Sequence, residues 1–153
     1  MNVHSEGGPS WPAHLTPGAV RLSYASANYD ATLAFYRDIV GLPLLTEFRD
    51  SFGEDGAVFG LPTFDTHLEI VRARAEQRPA DALDQLVFYL SGTATATAAA
   101  APLEMASTPR DPEPHPYWLA RGATTYLDPD GRRVVFAPWV FGREPEPGND
   151  QPE

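Results

Sequence analysis

The stretch ASANYDATLAFYRDIVGLPL, residues 25–44, decides the fold because it predicts one short helix between two strands. Asp30 is placed to cap the start of this helix, and Leu33 and Tyr36 then recur at helical spacing on one apolar face. Gly41 suits the position just after a helix, because glycine adopts the left-handed backbone at little cost. The helix is therefore expected to begin at the Asp30 cap and to end before Gly41.

Alternating apolar and polar residues on both sides of this helix predict strands. Before the helix, Leu22 and Tyr24 share one face of a strand, and Arg21 and Ser23 share the other. The first half of the chain is thus predicted as strand, helix and three strands. These four strands are expected over residues 19–25, 44–50, 57–60 and 66–73.

The second half of the chain repeats this order of elements. The helix is expected to end at Pro102, because proline lacks the backbone donor that a helix interior needs. Asp-Pro-Asp-Gly at 128–131 predicts a hairpin turn, whereas a strand near 104–108 is hard to place. The predicted elements are, in order, a strand over 84–90, a helix over 93–101, and strands over 123–128 and 132–139.

These halves predict a single α+β domain over residues 18–141, built from one module at 18–75 and another at 83–141. Residues 1–17 and 142–153 are rich in Pro, Gly and polar side chains, so we expect a flexible N-terminal arm and a disordered acidic tail. No segment has the pattern of a signal peptide, and none approaches the ~20 apolar residues of a membrane span.

The composition of the chain excludes several classes of function. Its 153 residues include 11 basic and 21 acidic side chains, a net charge of −10, which argues against nucleic acid and against an anionic membrane surface as partners. Without cysteine there are no disulfides, thiolate metal sites or Cys nucleophiles. All basic residues are Arg, which excludes a Schiff-base lysine. The absence of cysteine is consistent with the reducing cytoplasm, which is the expected location.

Residues 25–44 together with DPDGRRVVF, residues 128–136, resemble the glyoxalase / bleomycin-resistance / extradiol dioxygenase superfamily, also called the vicinal oxygen chelate superfamily. The resemblance covers about residues 19–139 and is closest to an uncharacterised bacterial branch. It implies two βαβββ modules with curved mixed sheets, a helix on one face of each sheet and a cup-shaped pocket on the other. It also implies a homodimer. A shared fold does not by itself set the chemistry.

Metal-dependent members of this superfamily place ligands on the first and last strands of each module. Glu69 is the one strong ligand that the resemblance leaves, because Arg is always cationic and Val has no donor atom. The cation of Arg21 would also repel a metal, and His67 could add only one further donor. We therefore expect no metal and no cofactor. The positions that the resemblance assigns to the ligands are Arg21, Glu69, Gln85 and Val135.

The same side chains allow two interpretations each. Arg21 and Glu69 form either a structural ion pair or a site in which Arg21 holds an anionic or carbonyl oxygen of a ligand. His67 is either a proton donor or acceptor, or a hydrogen-bonded strand histidine. Tyr89 and Trp118 either add aromatic walls that suit planar organic ligands or pack in the core or in a dimer interface. The predicted ligand-binding residues are Arg21, Ser23, His67, Glu69, Gln85, Tyr89 and Trp118.

Three functions are compatible with these residues. The leading one is a metal-free protein that binds a small, aromatic organic molecule, for sequestration or resistance. The second is a lyase, isomerase or dioxygenase-type enzyme of the same superfamily that uses Glu69, His67 and Arg21, or a relocated metal. The third is a structural or regulatory dimer whose cups are filled by its own side chains.

Overall fold

The computed structural model describes residues 12–15, 17–76 and 79–148, and its regular elements follow the predicted order. Most of the predicted arm and the last five residues of the predicted tail lie outside the described residues. No helix in the described ranges is both long enough and apolar enough to cross a membrane. The strands are β1 Val20–Ser26, β2 Leu44–Ser51, β3 Glu54–Gly60, β4 Thr66–Arg72, β5 Gln85–Tyr89, β6 Thr124–Leu127 and β7 Arg133–Ala137. The helices are α1 Tyr29–Ala34, continued by a π-helical segment Phe35–Val40, then α2 Thr93–Met105 and α3 Pro116–Leu119; a 3-10 turn spans Ala13–Leu15.

The first sheet has the strand order β1-β4-β3-β2, with β1 parallel to β4 and the other neighbours antiparallel. Arg21 is paired with His67 and Ser23 with Glu69 across β1 and β4. Because side chains alternate along a strand, these four residues share one face of the sheet. The predicted order of strand, helix and three strands is confirmed.

The second sheet has three strands, in the order β5-β7-β6. At the place of a fourth strand, Arg110 forms a single bridge to Tyr126, and Leu127 N donates to Pro109 O at 2.9 Å. Pro109 and Pro112 flank this bridge, and a residue without an N–H cannot donate to a strand ladder. The α+β fold with two small mixed sheets is confirmed, with the second module one paired strand shorter than the first.

The first helix begins differently from the prediction. Asn28 precedes it and makes no side-chain capping bond, while Asp30 lies in the first turn and bonds Arg72 at 3.2 Å. The predicted Asp30 cap is therefore wrong. The backbone N and the amide of Asn28 donate to Asp130 at 3.0 and 3.2 Å, so a distant carboxylate sets the start of the helix. The predicted end of the first helix before Gly41 is confirmed, because Gly41 follows the helical residues with φ +85°.

The second helix passes through the residue that was expected to end it. Pro102 lies inside α2, which ends at Met105. The proline removes one backbone bond, but its own carbonyl accepts from Ala106 N at 3.0 Å, and the next residue, Leu103, is fully buried. Burial of a leucine side chain contributes about 2 kcal/mol, which helps to offset the cost of the proline.

One apolar core joins the two modules, because the helix-facing sides of both sheets pack against α1, the π-helical segment and α2. The opposite face of each sheet points away from this core, and we refer to it as the cup face. The largest fully buried core side chains are Tyr36, Phe59, Leu68, Ile70, Leu103, Tyr126 and Val134.

A buried carboxylate in the predicted Asp-Pro-Asp-Gly turn holds the modules together. Asp130 accepts hydrogen bonds from Ser26 Oγ at 2.5 Å, from Asn28 N at 3.0 Å and from Thr32 Oγ1 at 3.0 Å. Burial alone would raise the pKa of Asp130, but these hydrogen bonds outweigh burial and lower the pKa below its ordinary value. The turn closes as predicted, since Gly131 N donates to Asp128 O at 2.9 Å.

Candidate functional site

A polar cluster of Arg21, Ser23, His67 and Glu69 occupies the cup face of the first sheet. Glu69 accepts from Arg21 Nη1 at 3.0 Å through one carboxylate oxygen and from Ser23 Oγ at 2.8 Å through the other. The Glu69 side chain is 15% exposed, whereas the Arg21 side chain is 46% exposed. The carboxylate is thus enclosed by donors, and part of the guanidinium faces solvent.

The imidazole of His67 completes the cluster. Its Nε2 bonds the carbonyl oxygen of Phe64, and its Nδ1 lies 3.5 Å from Nε of Arg21. A carbonyl accepts and a guanidinium donates, so Nε2 is the atom that can donate to Phe64 and Nδ1 the atom that can accept from Arg21. The ring thus contacts both the Phe64 carbonyl and the guanidinium of Arg21.

The cup face of the second sheet carries an aromatic cluster instead. Trp118, on α3, stacks on Trp139 with ring centroids 5.9 Å apart. The indole Nε1 of Trp118 donates to Gln85 Oε1 at 2.9 Å. This face is consequently covered by its own side chains. The cluster consists of Tyr89, Tyr117, Trp118, Trp139 and Phe141.

Two residues singled out from the sequence lie inside this packing. Val135, which the resemblance assigns to a ligand position, is fully buried in one packed group with Trp118 and Trp139. It is covered because α3 folds across the sheet at this point. Trp118 is 6% exposed, so its ring is buried and contacts Gln85 through the indole N–H. Tyr89 remains 39% exposed at the edge of the cluster.

A groove connects the two modules. Its volume is about 460 Å³, and Ser23 of β1 and Gln85 of β5 both line it. The guanidinium of Arg132 lies over the Tyr24 ring, 4.6 Å from its centroid, and both residues line the groove. The pKa of Tyr24 is raised, because the effect of burial outweighs the lowering by the nearby cation of Arg132. The groove brings together one predicted site residue from each module.

Sequence reasoning missed an ion pair at the rim of the second cup face. Arg133 Nε donates to Asp111 Oδ2 at 3.1 Å, and their side chains are 20% and 3% exposed. This pair fixes the proline-rich loop 109–116 against β7. No local pattern identifies it, because the partners are 22 residues apart.

The helix α3 was also missed, although its start has a recognisable pattern. Pro116 is the first residue of the helix, and His115 Nδ1 accepts from Tyr117 N at 3.1 Å as a cap. Proline is favoured at this first position because its missing N–H has no helical partner there. The sequence His115-Pro116 could therefore have indicated the helix that carries Trp118.

The residues at the superfamily's metal positions do not fit a divalent ion. Arg21 cannot ligate, Val135 is buried without a donor atom, and the Glu69 carboxylate is paired with the cation of Arg21, which repels a metal ion. Across residues 12–15, 17–76 and 79–148, no group of three or more His, Asp or Glu side chains could hold a metal.

Comparison with protein families gives two adjoining matches. A model of the YycE-like N-terminal domain matches residues 20–71, and a model of the YycE-like C-terminal domain matches residues 83–138. The uncharacterized protein YycE of Bacillus subtilis is 32% identical over 119 residues, which are 76% of this chain and 85% of that protein.

Solved structures agree with these matches. The crystal structure of the B. subtilis YycE protein, of unknown function and assigned to the glyoxalase/fosfomycin resistance group, has a TM-score of 0.75 and 28% identity. The match covers 84% of this chain and 94% of that one. The fosfomycin resistance protein FosX of Listeria monocytogenes shares the fold, with a TM-score of 0.56 and 11% identity over 83% of this chain and 94% of that one.

Proposed function

The chain belongs to the YycE-like family within the glyoxalase / bleomycin-resistance superfamily, and from this premise we propose that it binds a small organic molecule at the polar cluster without a divalent metal. The observation that carries the proposal is the half-exposed guanidinium of Arg21, held in place by Glu69 and His67. A preorganised guanidinium loses little freedom when it binds a ligand oxygen.

The contacts of Arg21 set the chemistry of the ligand. Its Nη1 and Nε already face Glu69 and His67, so the exposed edge of the guanidinium is the part that can donate to a ligand. Such an edge binds an acceptor, for example a carboxylate, a phosphonate or a carbonyl oxygen. The FosX structure holds Mn(II) with a phosphonic acid. In this chain Arg21 would supply the positive charge for such an oxyanion.

The groove beside the polar cluster provides room for the rest of the ligand. Its volume of about 460 Å³ lies within the usual range for small-molecule sites. Tyr24 and Leu83 provide apolar surface, and Ser23 and Gln85 provide hydrogen-bonding groups. A compact aromatic acid would use both kinds of surface, and its sequestration is one use of such a site.

Calorimetric titration with benzoate, phenylphosphonate and the uncharged benzamide tests the proposal. We expect the two anions to bind, and Arg21→Gln to weaken them about tenfold or more. Arg37→Gln is the matched control, because Arg37 has a similar exposure of 42% and pairs with Asp38 elsewhere. EDTA, Mn²⁺ and Zn²⁺ should leave the affinity unchanged. Binding that requires a metal, or that is equal in both variants, would overturn the proposal.

A second function, an interaction protein that acts as a dimer, is favoured by the aromatic cluster. Tyr89, Tyr117 and Phe141 are 39%, 38% and 61% exposed, although Tyr89 packs on Phe141 and Tyr117 packs on Trp139. Exposed apolar patches of this kind mark protein interfaces. We propose a homodimer that covers this face. Light scattering after size exclusion at micromolar concentration should give twice the chain mass of 16.7 kDa, and a monomer would contradict the proposal.

An acid–base enzyme has less support in the geometry. The Glu69 carboxylate is already paired with Arg21 and hydrogen-bonded to Ser23, and both ring nitrogens of His67 are engaged. A carboxylate that is paired with a guanidinium is a weaker proton acceptor than a free one. The cluster therefore suits binding better than proton transfer.

A further inference from the structure

A second cavity lies beside α1, away from the polar cluster. Its volume is about 520 Å³, and it opens between α1, the π-helical segment, the residues after α2 and the Asp-Pro-Asp-Gly turn. Its walls are mostly apolar, and the volume is in the range of sites for small organic molecules. Ala31, Phe35, Ile39, Ser107 and Asp128 are among the residues that line it.

Asp128 is the single ionisable residue among the described residues that line this cavity. It is 4% exposed, and its Oδ1 accepts from Asp130 N and Arg132 N, each at 2.9 Å. Within the described part of the chain, its Oδ2 accepts one hydrogen bond, from Tyr36 Oη at 2.7 Å. A carboxylate oxygen accepts two, so Oδ2 retains one acceptor position.

Two irregular backbone segments also line the cavity. Phe35 and Ile39 belong to the π-helical segment, and Ser107 has a φ of +54°. Pi-helical turns and left-handed residues other than glycine are uncommon, and both occur preferentially at functional sites. These irregular segments are a second observation, independent of the charge of Asp128, and they mark the same cavity.

We propose that this cavity binds a compact cyclic molecule that carries a protonated amine, with its ring against Phe35 and Ile39 and its N–H group on Asp128. No basic side chain among the described residues lines the cavity, and the chain has a net charge of −10, so a cation is the charge that fits. Burial raises the pKa of Asp128, and a bound ammonium would favour its ionised form. This site is separate from the polar cluster, which suits anions.

Titration of the ¹⁵N-labelled full chain with benzylamine tests the proposal. We expect saturable shifts of the amides of Phe35, Ile39 and Ser107, with benzyl alcohol binding at least about threefold more weakly because it lacks the charge. Ala31→Trp should weaken benzylamine about tenfold by filling the cavity, since Ala31 is exposed on α1 and tolerates a larger side chain. Ala101→Trp, at an exposed alanine of α2 outside the cavity, is the matched control.

The same measurements separate this site from the one at the polar cluster. Arg21→Gln should leave benzylamine affinity within about twofold while it weakens benzoate. Equal effects of Ala31→Trp and Ala101→Trp, or shifts spread over the acidic surface without saturation, would overturn the cavity proposal and leave the proposal for Arg21 intact. Loss of benzoate binding alone would count against the proposal for Arg21 and leave the cavity proposal standing.

Discussion

The two cup faces of the molecule are built on matching strand pairs and yet carry opposite chemistry. In the first sheet, β1 and β4 present a guanidinium, a hydroxyl, an imidazole and a carboxylate, and the Arg21 side chain is 46% exposed. In the second sheet, β5 and β7 pair Val87 with Val135, and α3 lays Trp118 across them. The first face is a polar surface, and the second is a small apolar core.

This difference shows that strand geometry and surface function are set separately. The strands decide which side chains share a face, because the alternation has a period of two. Whether that face becomes a binding surface depends on what later segments of the chain place over it. In this protein α3 covers the second face, and no helix of the described residues covers the first.

Of the changes that test this comparison, removal of Trp118 should lower the free energy of unfolding the most. Trp118→Ala deletes a buried indole, its stacking on Trp139 and its hydrogen bond to Gln85. We expect the free energy of unfolding to fall by about 3–5 kcal/mol, measured by urea denaturation. Trp118→Phe keeps an aromatic ring, although without the donor to Gln85, and should cost less than half as much. A loss below about 1 kcal/mol would mean that the second face is not a core.

Removal of the Asp130 carboxylate should have the next largest effect, because it joins the modules. At neutral pH, Asp130→Asn should lower the free energy of unfolding by about 2 kcal/mol, since the Asp130 side chain is 8% exposed and accepts several hydrogen bonds. Its pKa is lowered in the folded state. Its contribution is therefore fully present above the unfolded value near pH 3.9 and is lost as the pH falls through the folded pKa.

Urea denaturation of wild type and Asp130→Asn between pH 7 and pH 2 measures this dependence. The difference between the two proteins should shrink towards zero at the acidic end. A gap that stays constant or widens in acid would contradict the assigned role of the carboxylate.

Much of the first face could be predicted from the sequence because its elements follow local patterns. Alternation grouped Arg21 with Ser23 in residues 19–25 and His67 with Glu69 in residues 66–73, and the resemblance made the two strands neighbours. The structure has this arrangement. The end of the first helix at Gly41 also follows from a local preference for the left-handed backbone. Periodicity is reliable here because each sheet has one face in the shared core.

The second face could not be predicted in the same way, because its key contacts are distant in sequence. Trp118 bonds Gln85 from 33 residues away, and Asn28 meets Asp130 across 102 residues. The passage of α2 through Pro102 likewise depends on the burial of Leu103, which the local sequence does not indicate. Tertiary packing overrides local preference at each of these points.

Neutralisation of Glu69 should give the smallest change in stability and the sharpest test of the first face. Because the Arg21 side chain is 46% exposed and a Gln side chain keeps one acceptor oxygen, Glu69→Gln should lower the free energy of unfolding by less than about 1 kcal/mol. The charge of Arg21 would then be uncompensated, and benzoate should bind a few times more tightly in calorimetry. Asp38→Asn, which breaks the exposed pair with Arg37, is the control and should leave benzoate affinity unchanged. A large loss of stability with unaltered benzoate affinity would instead identify the pair as structural, and the first face would then resemble the second in being part of the scaffold.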